Sequence, residues 1–228
     1  MARAYFVTGT DTGVGKTTVT CALLAAAKAR GLTTLALKPI AAGCELTADG
    51  LRNSDALALQ AEMTLPLSYQ EINPVALSEP LAPHLAAALA GRRLTLVQIA
   101  GYCRGALMHK ADLRLVEGAG GWRVPISDRE LLSGLPRQLG LLVILVVGMR
   151  LGCINHAILT AEAILKDGVR LAGWVANVIE PDMAALEDNL QTLTRMLPAP
   201  CLGVLPWMSD EAADARGLRL DLVPLLSS

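Results

Sequence analysis

Aromatic residues are nearly missing from this chain, at 3% of the sequence with a single Phe. A core that rings cannot fill must be built from Leu, Val, Ile and Ala, which suits helices packed on a β-branched sheet. Charge is scarce as well, at 18%, and it cancels: 20 Lys and Arg stand against 21 Asp and Glu, for a net charge of −1. No run of Lys or Arg is there to neutralise a nucleic-acid backbone, so nucleic acid is not expected as a partner. Long apolar runs are also lacking. The stretch from Leu141 to Val147 falls far short of the roughly 20 residues a membrane-crossing helix needs, so no membrane partner is expected. The apolar N-terminal start runs at once into a Gly/Thr/Asp/Lys segment, unlike a signal peptide, and the expected location is cytoplasmic. The five cysteines, Cys21, Cys44, Cys103, Cys153 and Cys201, are odd in number and scattered, with no CxxC pair. They give neither a disulfide framework nor, with His84 and His109 at no ligand spacing, a zinc site.

What the chain does have is apolar material: 53% of 228 residues, enough for the core of one domain spanning residues 1–228. Short Val/Ile/Leu-rich runs alternate with longer amphipathic stretches, the pattern of an α/β fold with a doubly wound, mainly parallel sheet and helices on both faces. Strands are predicted at Ala4–Thr8, Thr34–Lys38, Leu113–Glu117, Leu142–Val147, Leu171–Ala176 and Cys201–Leu205. The Leu142–Val147 run has no polar alternation and belongs mid-sheet. Helices are predicted at Lys16–Arg30, Ser54–Glu62, Pro83–Ala90, Thr95–Lys110, Asn155–Lys166 and Asp182–Leu197, and the stretch from Leu65 to Pro83 reads as a long irregular connection.

The first strand ends in Thr8-Gly9-Thr10-Asp11-Thr12-Gly13-Val14-Gly15-Lys16-Thr17-Thr18 and passes straight into a helix. This is a phosphate loop of the P-loop NTPase type. Its glycines let the backbone turn several N–H groups inward, and the helix N-terminus adds a partial positive charge. Lys16 is placed to reach the β- and γ-phosphates of ATP, and the Thr17 hydroxyl to ligate Mg²⁺. The strict pattern would put a glycine at position 10, where Thr10 stands, so the first glycine lies one residue further out.

Mg²⁺ beside phosphate takes a few carboxylates in addition. Glu117 ends an apolar strand and is followed by Gly118-Ala119-Gly120-Gly121, which puts it at the carboxyl edge of the sheet where ligands of open α/β folds bind. Asp55 lies near a helix start, where it is either a second metal carboxylate or a charge offsetting the helix dipole. Lys38 closes the second strand and either faces the same crevice, to offset charge on a phosphoryl group in transfer, or is a snorkelling strand-end lysine. The segment Gly152-Cys153-Ile154-Asn155 follows the central strand; its N–H groups and the Asn155 side chain suit an anion such as a carboxylate, and Asn155 as a plain helix cap is the other reading.

Taken in order, these residues resemble the dethiobiotin synthetases, ATP-dependent ligases of biotin biosynthesis. The resemblance runs nearly end to end: Tyr5 to Thr12 with Val14 to Thr17, Lys38-Pro39, Gly50 to Leu57, Val116 to Trp122, Gly152 to Ala157, Gly173 to Asn177 and Pro206-Trp207. It implies a homodimer that converts 7,8-diaminononanoate, CO₂ and MgATP to dethiobiotin, ADP and phosphate, through a carbamate and a carbamic-phosphoric anhydride. Carried over, Lys16 and Lys38 are catalytic, and Thr17, Asp55 and Glu117 hold Mg²⁺. Gly13, Val14, Gly15, Lys16, Thr17 and Thr18 cradle phosphate, joined by Gly118, Ala119 and Gly120. Asn177, Pro206, Trp207, Met208 and Glu211 contact the nucleoside, and Gly152, Cys153 and Asn155, given by the partner subunit, bind the substrate carboxylate along with Lys38. Ala42 stands where the family usually places a Ser or Thr hydroxyl near the substrate, so one polar contact is expected to be missing. Two rival readings are a paralogous ligase with another substrate, which Ala42 keeps open, and a partitioning-type ATPase switch. The switch would be expected to carry a second lysine early in the loop, where this chain has Asp11.

Overall fold

A computed structural model describes residues 3–207 and 213–226. In chain order the elements begin with β1 (Arg3–Gly9), α1 (Lys16–Lys28), β2 (Thr34–Leu37), β3 (Ile40–Ala41), β4 (Glu45–Thr47), β5 (Gly50–Arg52), α2 (Ser54–Glu62), α3 (Tyr69–Ile72) and β6 (Val75–Ala76). They continue with α4 (Pro83–Leu89), α5 (Leu96–Leu107), β7 (Leu113–Glu117), α6 (Gly134–Leu139), β8 (Leu142–Met149), α7 (Cys153–Lys166) and β9 (Leu171–Val178). The last are α8 (Leu186–Met196), β10 (Cys201–Leu205), α9 (Ala213–Gly217) and α10 (Val223–Leu226).

Six strands form one sheet in the order β10-β9-β8-β1-β7-β2, and every pairing in it is parallel. The expected α/β architecture is therefore present, with β8 and β1 at the centre. Along β8 the side chains alternate between two apolar clusters. Ile144 and Val146 join the one that spans β1, β2, β7 and their helices, while Leu145, Val147 and Met149 join Trp174, Ala157, Ala161 and Leu193 beneath α7 and α8. With both faces covered, the strand has no use for a polar residue.

Four features depart from expectation. The 65–83 connection is not irregular throughout: Ser68 caps α3 by a reciprocal capping box with Glu71, and β6 then pairs in parallel with β3. A small antiparallel ribbon, β4 against β5, was also not foreseen; it reverses at Thr47 and Gly50. The helix expected from Asn155 starts at Cys153, because Gly152 adopts φ 92 and lets the chain enter the helix two residues sooner. Asn155 is thus an exposed residue of the first turn, not the cap. The boundaries of α5 and α8 are also tighter than predicted, with α8 entered at Ala185 in a left-handed conformation, φ 52.

All five cysteines are free thiols. Burial pushes the Cys21 and Cys103 thiols up to about 12, and raises Cys44 and Cys201 as well. Native protein at neutral pH should therefore react slowly with a disulfide reagent, and all five thiols should titrate at once after denaturation. Rapid modification of several native thiols would contradict this packing.

Candidate functional site

The phosphate loop connects β1 to α1 at the carboxyl edge of the sheet. Gly15 takes φ 83 as the N-cap of α1, and a Cβ there would lie 2.1 Å from Nδ2 of Asn177. That close approach has a use: Asn177, near the end of β9, two strands away from β1 across β8, donates from Nδ2 to the Val14 carbonyl at 2.9 Å and so fixes the loop's crest. The Val19 amide donates to the Gly15 carbonyl at 3.0 Å, which starts the helix and leaves the earlier amides free for an anion.

Lys16 is buried, with its Nζ 3.2 Å from the Asp11 carbonyl. Burial, and after it the like charge of Lys38, lowers its pKa to about 8. Four further side chains converge beside it. Lys38 Nζ donates to Asp55 Oδ2 at 2.7 Å and to Glu117 Oε1 at 2.6 Å, and the Thr17 hydroxyl donates to the same Glu117 oxygen at 2.8 Å. Burial alone would neutralise Lys38, but Glu117 and then Asp55 outweigh it and raise its pKa. Burial likewise works to raise Asp55, and the ammonium of Lys38 prevails and lowers it. Lys38 and Asp55 are thus each held charged by their partners.

Each member owes its place to local structure. Asn53 caps α2 by accepting from the Ala56 amide, which leaves Asp55 in the first turn free to face Lys38. Asn73 donates to the Lys38 carbonyl at 2.6 Å and holds the backbone where β2 ends. Glu117 is fully buried at the end of β7, and its second oxygen, Oε2, has no hydrogen-bond partner. An orphaned buried carboxylate oxygen beside a hydroxyl and a second carboxylate is a hard-oxygen donor set that suits Mg²⁺. No group of three His, Cys, Asp or Glu able to hold a metal is found among the described residues, so such an ion would have to draw other ligands from phosphate and water.

The cluster opens into a cleft of about 820 Å³. One side is the phosphate loop from Thr12 to Thr18. The opposite wall is apolar, made of Ile40, Ala41, Ala42 and Pro80 to Pro83, and the floor is Ala119 to Gly121 with Arg123 to Pro125. Ala42 thus sits on the cleft, where the missing hydroxyl was expected. Gly118 lies behind it, its amide donating to Val7.

Other predicted residues lie elsewhere. Gly152, Cys153 and Asn155 open α7 but do not line this cleft; Cys153 is buried, with its Sγ 3.7 Å from Asn189 Oδ1. Pro206 and the half-exposed Trp207 follow β10 at the same sheet edge, while Met208 and Glu211 lie outside the described residues. Sequence reasoning missed Asn53, Asn73 and the pair formed by Arg150 with Asp11 at 2.8 Å. Of these, only Asn53 carried a local signal, as a cap-forming residue immediately before a helix.

Comparison with known proteins places the chain firmly. The family described as an AAA domain matches residues 3–214. An ATP-dependent dethiobiotin synthetase BioD from Cellvibrio japonicus is 58% identical over 226 residues, covering 99% of each chain. One named BioD 1 from Escherichia coli K12 is 52% identical, covering 94% of this chain and 95% of its own. Among solved structures, the Aquifex aeolicus MinC:MinD cell division complex is similar at TM-score 0.57 and 18% identity, covering 97% of this chain and 88% of that one. The MinD protein from Pyrococcus horikoshii is similar at TM-score 0.52 and 19% identity, covering 90% and 82%. These two share the P-loop NTPase fold with this chain.

Replacing Lys38 by Met should leave Asp55 and Glu117 facing each other without their cation. Chemical denaturation should show a loss of about 3 kcal/mol of stability, the scale for breaking a buried pair. Wild-type stability in this variant would mean that the ammonium does not hold the two carboxylates together.

Proposed function

The chain belongs to the ATP-dependent dethiobiotin synthetases, ligases of biotin biosynthesis, and from that premise we propose that the Lys16, Thr17, Lys38, Asp55 and Glu117 cluster is its phosphoryl-transfer centre. The observation that carries the proposal is the buried Lys38 ammonium, bonded to both carboxylates at the mouth of the phosphate loop. The relatives at 52–58% identity leave no support for the ATPase switch or for a paralogous ligase.

In this reading the substrates are 7,8-diaminononanoate, CO₂ and ATP. One amine adds to CO₂ and loses a proton, giving a carbamate. A carbamate oxygen attacks the γ-phosphorus and ADP departs; the second amine then attacks the carbonyl carbon, phosphate leaves, and the cyclic urea closes. Lys16 and Lys38 place positive charge against the phosphoryl oxygens in transfer. Lys38 also keeps its proton throughout the neutral range, because its two carboxylates favour the charged form. Thr17, Asp55 and Glu117 would hold Mg²⁺, which when bound supplies further charge against the phosphate oxygens. The amides of Gly13 to Thr18 and the loop Gly118 to Gly120 are assigned to phosphate, and Asn177, Pro206, Trp207, Met208 and Glu211 to the nucleoside.

The substrate carboxylate is assigned to Gly152, Cys153 and Asn155 of a second copy, because these residues lie outside their own chain's cleft while Leu151 beside them is 95% exposed. The working unit is then a homodimer of single-domain chains, and the place of action the cytoplasm. Among the described residues no helix is long and apolar enough to cross a membrane.

Purified protein given 7,8-diaminononanoate, bicarbonate and MgATP should release phosphate and form dethiobiotin in equal amounts. Lys16→Ala and Glu117→Ala should each abolish product, whereas Lys38→Ala should lower kcat far more than nucleotide affinity. ATP hydrolysis without dethiobiotin would sink the ligase reading. Shared sites make a second prediction: mixing inactive Lys16→Ala with inactive Asn155→Ala chains should restore about a quarter of wild-type activity, the fraction of intact sites in randomly paired dimers. No recovery in reannealed mixtures would mean that each chain serves only itself.

A further inference from the structure

Asp167 lies outside the cleft, at the C-cap of α7, where it accepts three hydrogen bonds from one loop. The Trp122 indole donates at 2.8 Å to Oδ2, and Arg123 donates through both terminal nitrogens, at 2.6 Å to Oδ2 and 2.9 Å to Oδ1. A two-pronged guanidinium with an added indole donor is the geometry in which a partly exposed ion pair becomes rigid and specific, unlike the usual surface pair.

The clamped loop is the one that leaves Glu117. Trp122 is buried and meets Phe6 edge-on, with ring centroids 6.2 Å apart. Phe6 in turn lies under Gly118, where a Cβ would come within 2.8 Å of its ring. A chain of packed rings therefore runs from Asp167 to the residue following the metal carboxylate. The same loop rests on the phosphate loop: the Cβ position of Gly121 is 3.5 Å from the Gly9 carbonyl and 3.6 Å from that of Thr10, and that of Gly120 is 3.4 Å from the Thr12 hydroxyl. Arg123, Val124 and Pro125 then continue along the cleft.

We propose that Asp167 is a positioning residue for the ligase reaction: through Trp122 and Arg123 it sets the 118–125 loop against the phosphate loop, and thereby the nucleotide site. The proposal rests on the site assignment made above. It also gives Arg123 a defined task, since a cation lining the cleft is held by Asp167 and not offered to the substrate.

The test measures Kd for ADP with Mg²⁺, then KM and kcat for ATP and the diamine, in Asp167→Ala, Asp167→Asn, Arg123→Met and Arg123→Lys. Asp167→Ala should weaken ADP binding by about tenfold, the usual scale when an outer partner of a ligand is removed, and raise the KM for ATP by a similar factor. Asp167→Asn, which keeps an oxygen for the indole, and Arg123→Met, which keeps the indole bond, should fall between that variant and wild type. Arg123→Lys should restore most of the affinity. The indole N–H resonance of Trp122 should move in Asp167→Ala and stay near its place in Arg123→Met. An ADP Kd within twofold of wild type in Asp167→Ala, or a loss confined to thermal stability with unchanged KM, would overturn the proposal. Wild-type protein that binds ADP but makes no dethiobiotin would defeat the functional reading, while the ADP comparison would still decide the role of Asp167.

Discussion

One ammonium group organises the active edge of this protein. Lys38 is buried at the end of β2, between a fully buried glutamate and a partly exposed aspartate. Burying any of these charges alone would cost several kcal/mol, and each becomes tolerable only through the others. The requirement fixes more than three side chains. It sets the end of β2 beside the end of β7, since the two strands pair up to Leu37 and Val116, and it holds the first turn of α2 over both. Thr17, bonded to Glu117, ties the start of α1 to the same point. Four elements that are distant in sequence are thus aligned by one shared charge, at the place where a transferring phosphoryl group needs positive potential.

The cluster also explains why the two lysines have different characters. Lys38 has two carboxylate partners and is held protonated. Lys16 has, among the described residues, a loop carbonyl as its hydrogen-bond partner, and burial and the charge of Lys38 bring its pKa to about 8. A triphosphate entering the loop would provide the missing negative charge. The protein's own acids therefore balance the Lys38 side and leave the Lys16 side without a carboxylate at hydrogen-bond distance among the described residues. In the proposed phosphoryl-transfer centre, polyphosphate would be drawn to the Lys16 side, with the Lys38 side a fixed reference for the chemistry.

Much of this was legible in the sequence where the signal was local. The phosphate loop is a contiguous pattern, and Glu117 and Lys38 stand out because each interrupts the end of an apolar strand. The central place of β8 follows from its lack of polar alternation. What escaped was decided by contacts across the chain or by backbone conformation. Asn73 reaches Lys38 over 35 residues and Asp167 reaches Trp122 over 45, and neither position differs in kind from other polar loop residues. Asn155 looked like a helix cap because Asn favours that position. The left-handed turn at Gly152 moved the helix start ahead of it, and only the φ angle reveals that.

The distribution of charge in the cleft bears on the proposed second chain. A substrate with an amine pair at one end and a carboxylate at the other must find a partner for each. On one side of the cleft are Lys16 and Lys38, committed to phosphate and to the two acids; on the other is an apolar wall from Ile40 to Ala42 and Pro80 to Pro83, suited to an alkyl chain. Arg123 is the remaining cation among the cleft-lining residues, and Asp167 takes up its charge. Among the described residues that line the cleft, no further Lys, Arg or His is left for the carboxylate. Meanwhile Gly152 and Asn155 present a helix N-terminus to solvent beside the exposed Leu151. In the proposed dimer each deficit answers the other: the exposed turn of one subunit gains a cover, and the cleft of its partner gains an anion site, while the 118–125 loop, tied down by Asp167, stays against the phosphate loop.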